Sequence, residues 1–168
     1  MKRKADLVAE RSVKVADEVW VATALLHVEN PGRDDFTTKE IVQRAEKESL
    51  HVPLRPGVYV HVVQHCVANR TPDPGKYRML FATGRQTRRL FRTGDSYHPD
   101  RREGKILPGK DDIPAHYHYL LDWYSSQYAT RKGGSEAEDP ILALCGLGKE
   151  IWDETPDDYV RRLRKGWD

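Results

Sequence analysis

Residues 36–70 read FTTKEIVQRAEKESLHVPLRPGVYVHVVQHCVANR, and the fold turns on how this stretch divides. Thr37, with Glu40 three residues on, is a capping box. Phe36 and Ile41 sit where a hydrophobic staple places its two apolar partners. Together they predict a short helix over residues 38–49. Pro56 suits the first turn of the next helix. From there Val58, Val62 and Cys66, with Val63 and Val67 beside them, form one apolar stripe at helical spacing. Gly57, His61, Gln64, His65 and Ala68 form the opposite face. Its side chains offer hydrogen-bonding groups and no carboxylate. The spacing predicts a helix here even though its β-branched residues are weak helix formers.

Upstream, VKVADEVWVATALLHVE carries Val15, Val19, Ala22 and Leu26 at helical spacing, with Trp20 and Leu25 alongside. A helix over residues 12–28 follows, and NPGRDD ends it with turn residues. Downstream, KYRMLFATGRQTRRLFRTGD alternates Tyr77, Met79 and Phe81 with Arg78 and Leu80, then resumes as RRLFR after TGRQT. Two short strands around a glycine-containing turn make a hairpin. Arg85, Arg88, Arg89 and Arg92 decorate its turn and second strand. SYHPDRREGKILPGKDD is a basic loop. IPAHYHYLLDWYSSQYA then restores a helix with Tyr117, Leu120, Leu121, Tyr124 and Tyr128 on one stripe. The expected fold is mainly α with a small β-hairpin. Residues 1–132 form the domain, KGGSEAE is a hinge, and residues 133–168 form a helical or extended tail.

The chain of 168 residues is 32% charged and 38% hydrophobic. No run approaches the roughly 18 apolar residues of a membrane span. MKRKADLVAERSVK has positive charge without an apolar segment, which argues against a secretory signal. Two widely separated cysteines, Cys66 and Cys145, argue against a disulfide framework and for a cytoplasmic protein. The net charge of +2 averages two opposed regions. Residues 1–132 hold 23 Lys and Arg against 17 Asp and Glu, and residues 133–168 hold 5 against 9. The basic stretch points to a polyanion partner and the acidic tail to a basic protein surface.

Helix, short helix, third helix and basic hairpin, in that order, resemble the winged helix-turn-helix DNA-binding domains, and FTTKEIVQRA is similar to their second helix. The resemblance implies a third helix in the major groove of double-stranded DNA, with the hairpin on the backbone. Gly57, His61, Gln64 and His65 would then face base edges, and Arg78, Arg85, Arg88 and Arg89 the phosphates. A protein-docking winged helix and a DNA-restriction accessory subunit are the alternatives.

The tail, DPILALCGLGKEIWDETPDDYVRRLRKGWD, resembles the C-terminal toxin-neutralising segments of bacterial type II antitoxins, in particular those paired with PIN-domain ribonuclease toxins. Such tails more often follow ribbon-helix-helix or swapped-hairpin domains than a winged helix. The resemblance implies a transcriptional autoregulator that binds and inhibits a cognate toxin. The partner-binding residues would be Ile141, Leu142, Leu144, Leu147, Ile151, Trp152, Tyr159, Arg161, Arg162, Leu163 and Trp167. Each buried apolar anchor would stabilise the complex by about 1.5–3 kcal/mol.

Catalytic and metal chemistry find little footing. His116 and His118 diverge on a helix, and the His61 and His65 pair lacks further ligands on its face. Gly146, Gly148 and Lys149 lack phosphate-loop spacing. The expectation is a non-enzyme without cofactor or metal. The oligomeric state is open, a homodimer included.

Overall fold

The computed structural model describes residues 12–131. The chain divides into two units, Met1–Lys132 and Gly133–Asp168, and the described residues all belong to the first. The tail anchors from Ile141 to Trp167 lie outside them.

Helix α1, Val15–Glu29, is the centre of the domain, and the helices Thr38–Glu48, Gly57–Val60 and His118–Trp123 and the strand Thr87–Leu90 all pack on it. The sequence reading gives this helix one apolar stripe, but every residue from 16 to 25 is buried. Enclosure carries Asp17 and Glu18 inside with it, both 0% exposed. A buried carboxylate must be paired, and each finds a cation from far along the chain. Lys105 Nζ lies 2.8 Å from Asp17 Oδ1 and 2.7 Å from Asp112 Oδ2. Arg55 donates to Glu18 Oε2 through Nε at 3.2 Å. Burial holds the Asp17 carboxyl above its usual range despite Lys105.

Strand β1, Phe36–Thr37, leads into α2, Thr38–Glu48. The capping box forms as the residues dictate. Glu40 N donates to Thr37 Oγ1 at 3.2 Å, and Thr37 N donates to Glu40 Oε2 at 2.8 Å. Phe36, Ile41 and Ala45 are buried. The helix ends at Ser49, whose φ of 55° is left-handed. Helix α3, Gly57–Val60, continues as a π-helical turn over His61–His65.

Strands β2, Leu80–Ala82, and β3, Thr87–Leu90, form the hairpin. Phe81 pairs with Arg89 and Ala82 with Arg88. The strands are shorter than the alternation suggested. β3 also pairs with β1, Phe36 opposite Arg88, giving a three-stranded antiparallel sheet in the order β1-β3-β2. Helix α4, His118–Trp123, is entered through a 3-10 turn at Ala115–Tyr117 and leaves through a π-helical turn at Tyr124–Tyr128. Its stripe of Tyr117, Leu120, Leu121, Tyr124 and Tyr128 is buried throughout. Tyr124 packs edge-on against Trp20 at 5.7 Å and donates its hydroxyl to Phe91 O at 2.6 Å. The fold is mainly helical with a small antiparallel sheet. Among the described residues no helix is long and apolar enough to cross a membrane.

Candidate nucleic-acid interface

Helix α3 turns Val58, Val62 and Cys66 into the core, each 0% exposed. Burial pushes the Cys66 thiol pKa well up, so it is a packing group rather than a nucleophile. The opposite face meets solvent only in part. Residues 70–77 fold back over His61, Gln64 and His65. Gln64 donates through Nε2 to Thr71 O. The His61 ring stands 6.1 Å from Tyr77 and 4.9 Å from His65, and its Nδ1 lies 2.8 Å from Gly57 O. Burial, then the His65 ring, holds the His61 pKa below its usual value. A Cβ at Gly75 would come within 2.7 Å of the His65 Cβ, so glycine permits this close approach. Gly57 lies against the Val15 side chain, and Ala68 is buried. Of the expected base-reading residues, Gly57, His61, Gln64 and His65 are half-buried and Ala68 is enclosed. The solvent side of α3 holds Tyr59, 59% exposed, Val60, 43% exposed, and the half-buried Val63.

Arg101 fastens the covering segment. It is fully buried and donates to five carbonyls, those of Arg70 at 2.7 Å, His65 at 2.8 Å, Tyr77 at 2.7 Å, Gln64 at 2.9 Å and Thr71 at 3.4 Å. Two of these carbonyls end α3, where a cation also meets the negative end of the helix dipole. In the sequence Arg101 lies in a stretch that reads as a basic loop.

The hairpin arginines divide in the same way. Arg85 is exposed in the β2–β3 turn. Arg88 is 1% exposed. Its Nη1 donates to Gly84 O at 3.0 Å and Thr87 O at 2.7 Å, and its Nη2 lies 3.5 Å from Val63 O. Arg89 is 6% exposed and makes a two-pronged pair with Asp95, 2.7 Å on each arm, over the Phe81 ring. Arg78 lies half-buried over Tyr97 at 4.4 Å and donates to Gly104 O. Arg88 and Arg89 thus do not present guanidinium groups to solvent, contrary to the hairpin reading. Acids that flank the strands, Asp34 and Asp95, are the signal that points to this, since both engage Arg89 and Asp34 also engages Arg92.

Arg88 has its pKa drawn down to about 10, by burial and then by the neighbouring Arg70. Arg85 O accepts from Arg88 Nη1. Among the described residues, none of Arg70, Arg85 and Arg88 makes an ion pair. Of the three, Arg88 reaches the backbone carbonyl of Val63. Among the described residues no group of three or more His, Cys, Asp and Glu side chains converges on a metal position. No protein-family model, curated protein or solved structure matches the chain.

Proposed function

We propose that the domain is a winged helix-turn-helix that binds duplex DNA, and that the chain is a bacterial antitoxin and autoregulator whose tail binds a PIN-type toxin. The order helix, strand, helix, helix, hairpin, with the first strand paired to the last, supports the winged fold. The observation that carries DNA binding is that Arg85, exposed in the hairpin turn, and the half-buried Arg70 make no ion pair among the described residues. A phosphate backbone supplies the missing charge. The major groove admits a helix of this width. Arg70 and Arg85 make the phosphate contacts, and Arg88 holds the hairpin turn against α3.

The tail completes the reading through its resemblance to toxin-neutralising segments. Its apolar anchors find burial in a groove of the toxin, with folding coupled to binding. Arg161, Arg162 or Arg164 pairs with the carboxylates of the toxin's metal site.

The test is fluorescence anisotropy of the full chain on duplex DNA across a salt series. Arg70→Ala and Arg85→Ala should each lower the salt slope by about 0.9 on every sequence. A protein-docking winged helix would instead bind no duplex, or bind one without salt dependence. For the tail, pull-down from the native host followed by mass spectrometry should recover a ribonuclease toxin with the full chain and lose it with residues 1–132. Recovery of DNA-cleavage subunits instead would favour the restriction accessory role.

A further inference from the structure

We infer that His61 and His65 form a site for one divalent transition-metal ion of the copper, nickel and zinc class, held by two imidazole nitrogens and open to water. The two residues lie four apart on the π-helical turn His61–His65, so they share one side of the helix. Their rings stand 4.9 Å apart and nearly perpendicular, at 84°. Two imidazoles bonded to one ion at about 2.0–2.1 Å, at angles from square-planar to tetrahedral, hold their ring centres about 4.5–5 Å apart. His61 Nδ1 lies 2.8 Å from Gly57 O. A carbonyl only accepts, so Nδ1 carries the proton and Nε2 keeps its lone pair for a ligand bond. A backbone carbonyl behind the ring is the usual support of a metal-bound histidine. Burial holds the His61 pKa below its usual value, which keeps this ring neutral at pH 7. Among the described residues, His65 Nδ1 is buried and meets no hydrogen-bond partner. A buried polar atom left so is uncommon, and a bound ion is one of the few explanations. Both residues are half-buried, so an ion reaches them from solvent. Among the described residues no third His, Cys, Asp or Glu joins them. Water fills the remaining positions, which suits Cu²⁺ or Ni²⁺ better than a closed structural zinc site. The site does not depend on duplex binding.

The probe is the metal alone. Calorimetric titration of the full chain with Cu²⁺, Ni²⁺, Zn²⁺ and Mg²⁺ should give one ion per chain, with Cu²⁺ tightest and Mg²⁺ unbound. His61→Gln and His65→Gln should each weaken Cu²⁺ binding by at least about tenfold, no less than the loss of an outer partner costs a metal site. His51→Gln and His116→Gln, at exposed residues, should leave it unchanged. Electron paramagnetic resonance of the Cu²⁺ complex should show two imidazole nitrogens in the natural chain and one in either of the first two variants. Modification of the natural chain by diethylpyrocarbonate, read by mass spectrometry, should find His61 and His65 protected together when Cu²⁺ is added. That measurement decides where either variant fails to fold. An ion held equally well by both folded variants would overturn the site. Protection that falls on other histidines and spares these two would overturn it as well, and so would a natural chain that takes up no ion at one to one.

Discussion

Arg101 spends its charge inside the protein. Its five carbonyl partners come from the end of α3 and from the segment that covers it, so one guanidinium closes backbone groups that would otherwise be buried and unbonded. Arg101→Met should destabilise the domain by at least about 3 kcal/mol, since each carbonyl left buried and unbonded costs about 1–3 kcal/mol. Arg101→Lys should not restore it, because an ammonium lacks the planar fork. Urea unfolding followed by circular dichroism measures both, and a loss below about 1 kcal/mol would contradict this role. His27 is the second buried residue with a measurable consequence. It is 4% exposed, with Nε2 3.2 Å from the Tyr128 hydroxyl and 3.4 Å from Leu90 N. Burial, and then the Arg92 charge, draws its pKa from 6.5 to about 3. The native state keeps the ring neutral while the unfolded chain takes up a proton below 6.5. Stability therefore falls as pH drops from 6.5 towards 3, by about 1.5 kcal/mol between pH 6.5 and pH 5. Thermal melts at those two pH values should show that loss in the natural chain and a much smaller one in His27→Gln.

At the scale of elements, α2 is a helix whose start is written locally. Thr37, Glu40, Phe36 and Ile41 all lie within six residues, and the capping box they promise is present. Thr37→Ala should cost about 1 kcal/mol, read as a lower urea midpoint at unchanged slope; no change would mean the cap is redundant with β1 pairing. The stripe of α4 was legible for the same reason, since period alone places Tyr117, Leu120, Leu121, Tyr124 and Tyr128 together. The outward face of α3 was not legible. Period separates its apolar stripe from its polar one, but which polar side chains stay in water depends on residues 70–77 and on Arg101, more than thirty residues away. β1 escaped because two residues carry no alternation. The buried Asp17 and Glu18 escaped because the helix is enclosed on every side, which only its neighbours decide. The arginines of the hairpin show the same limit. Composition counts their charges, yet Arg88, Arg89 and Arg92 are all nearly inaccessible.

For the whole molecule, the described residues already account for a closed core. Trp20, Phe36, Ile41, Val58, Leu80, Leu90 and Leu120 are each 0% exposed and come from all parts of residues 12–131. The buried carboxylates are paired within the same span, Asp17 with Lys105 and Glu18 with Arg55. A domain of this size with an apolar core closed by its own residues needs no further element to fold. The chain of residues 1–132 should then melt within a few degrees of the full protein and keep its duplex affinity. The tail has the opposite character. Ile141, Leu142, Leu144, Leu147, Ile151 and Trp152 are dense in apolar surface, while eight acids and one lysine occupy residues 136–158. Apolar anchors ringed by acids suit a partner groove with a basic rim. Trp152 is the largest of them, and Trp152→Ala should weaken toxin binding by at least about 2 kcal/mol without moving the melting temperature. Calorimetric titration of the captured toxin against both proteins, beside their melts, separates the two roles. A fragment that is unfolded, or a Trp152→Ala chain that melts far lower, would make the tail a part of the core and remove the ground for a neutralising segment.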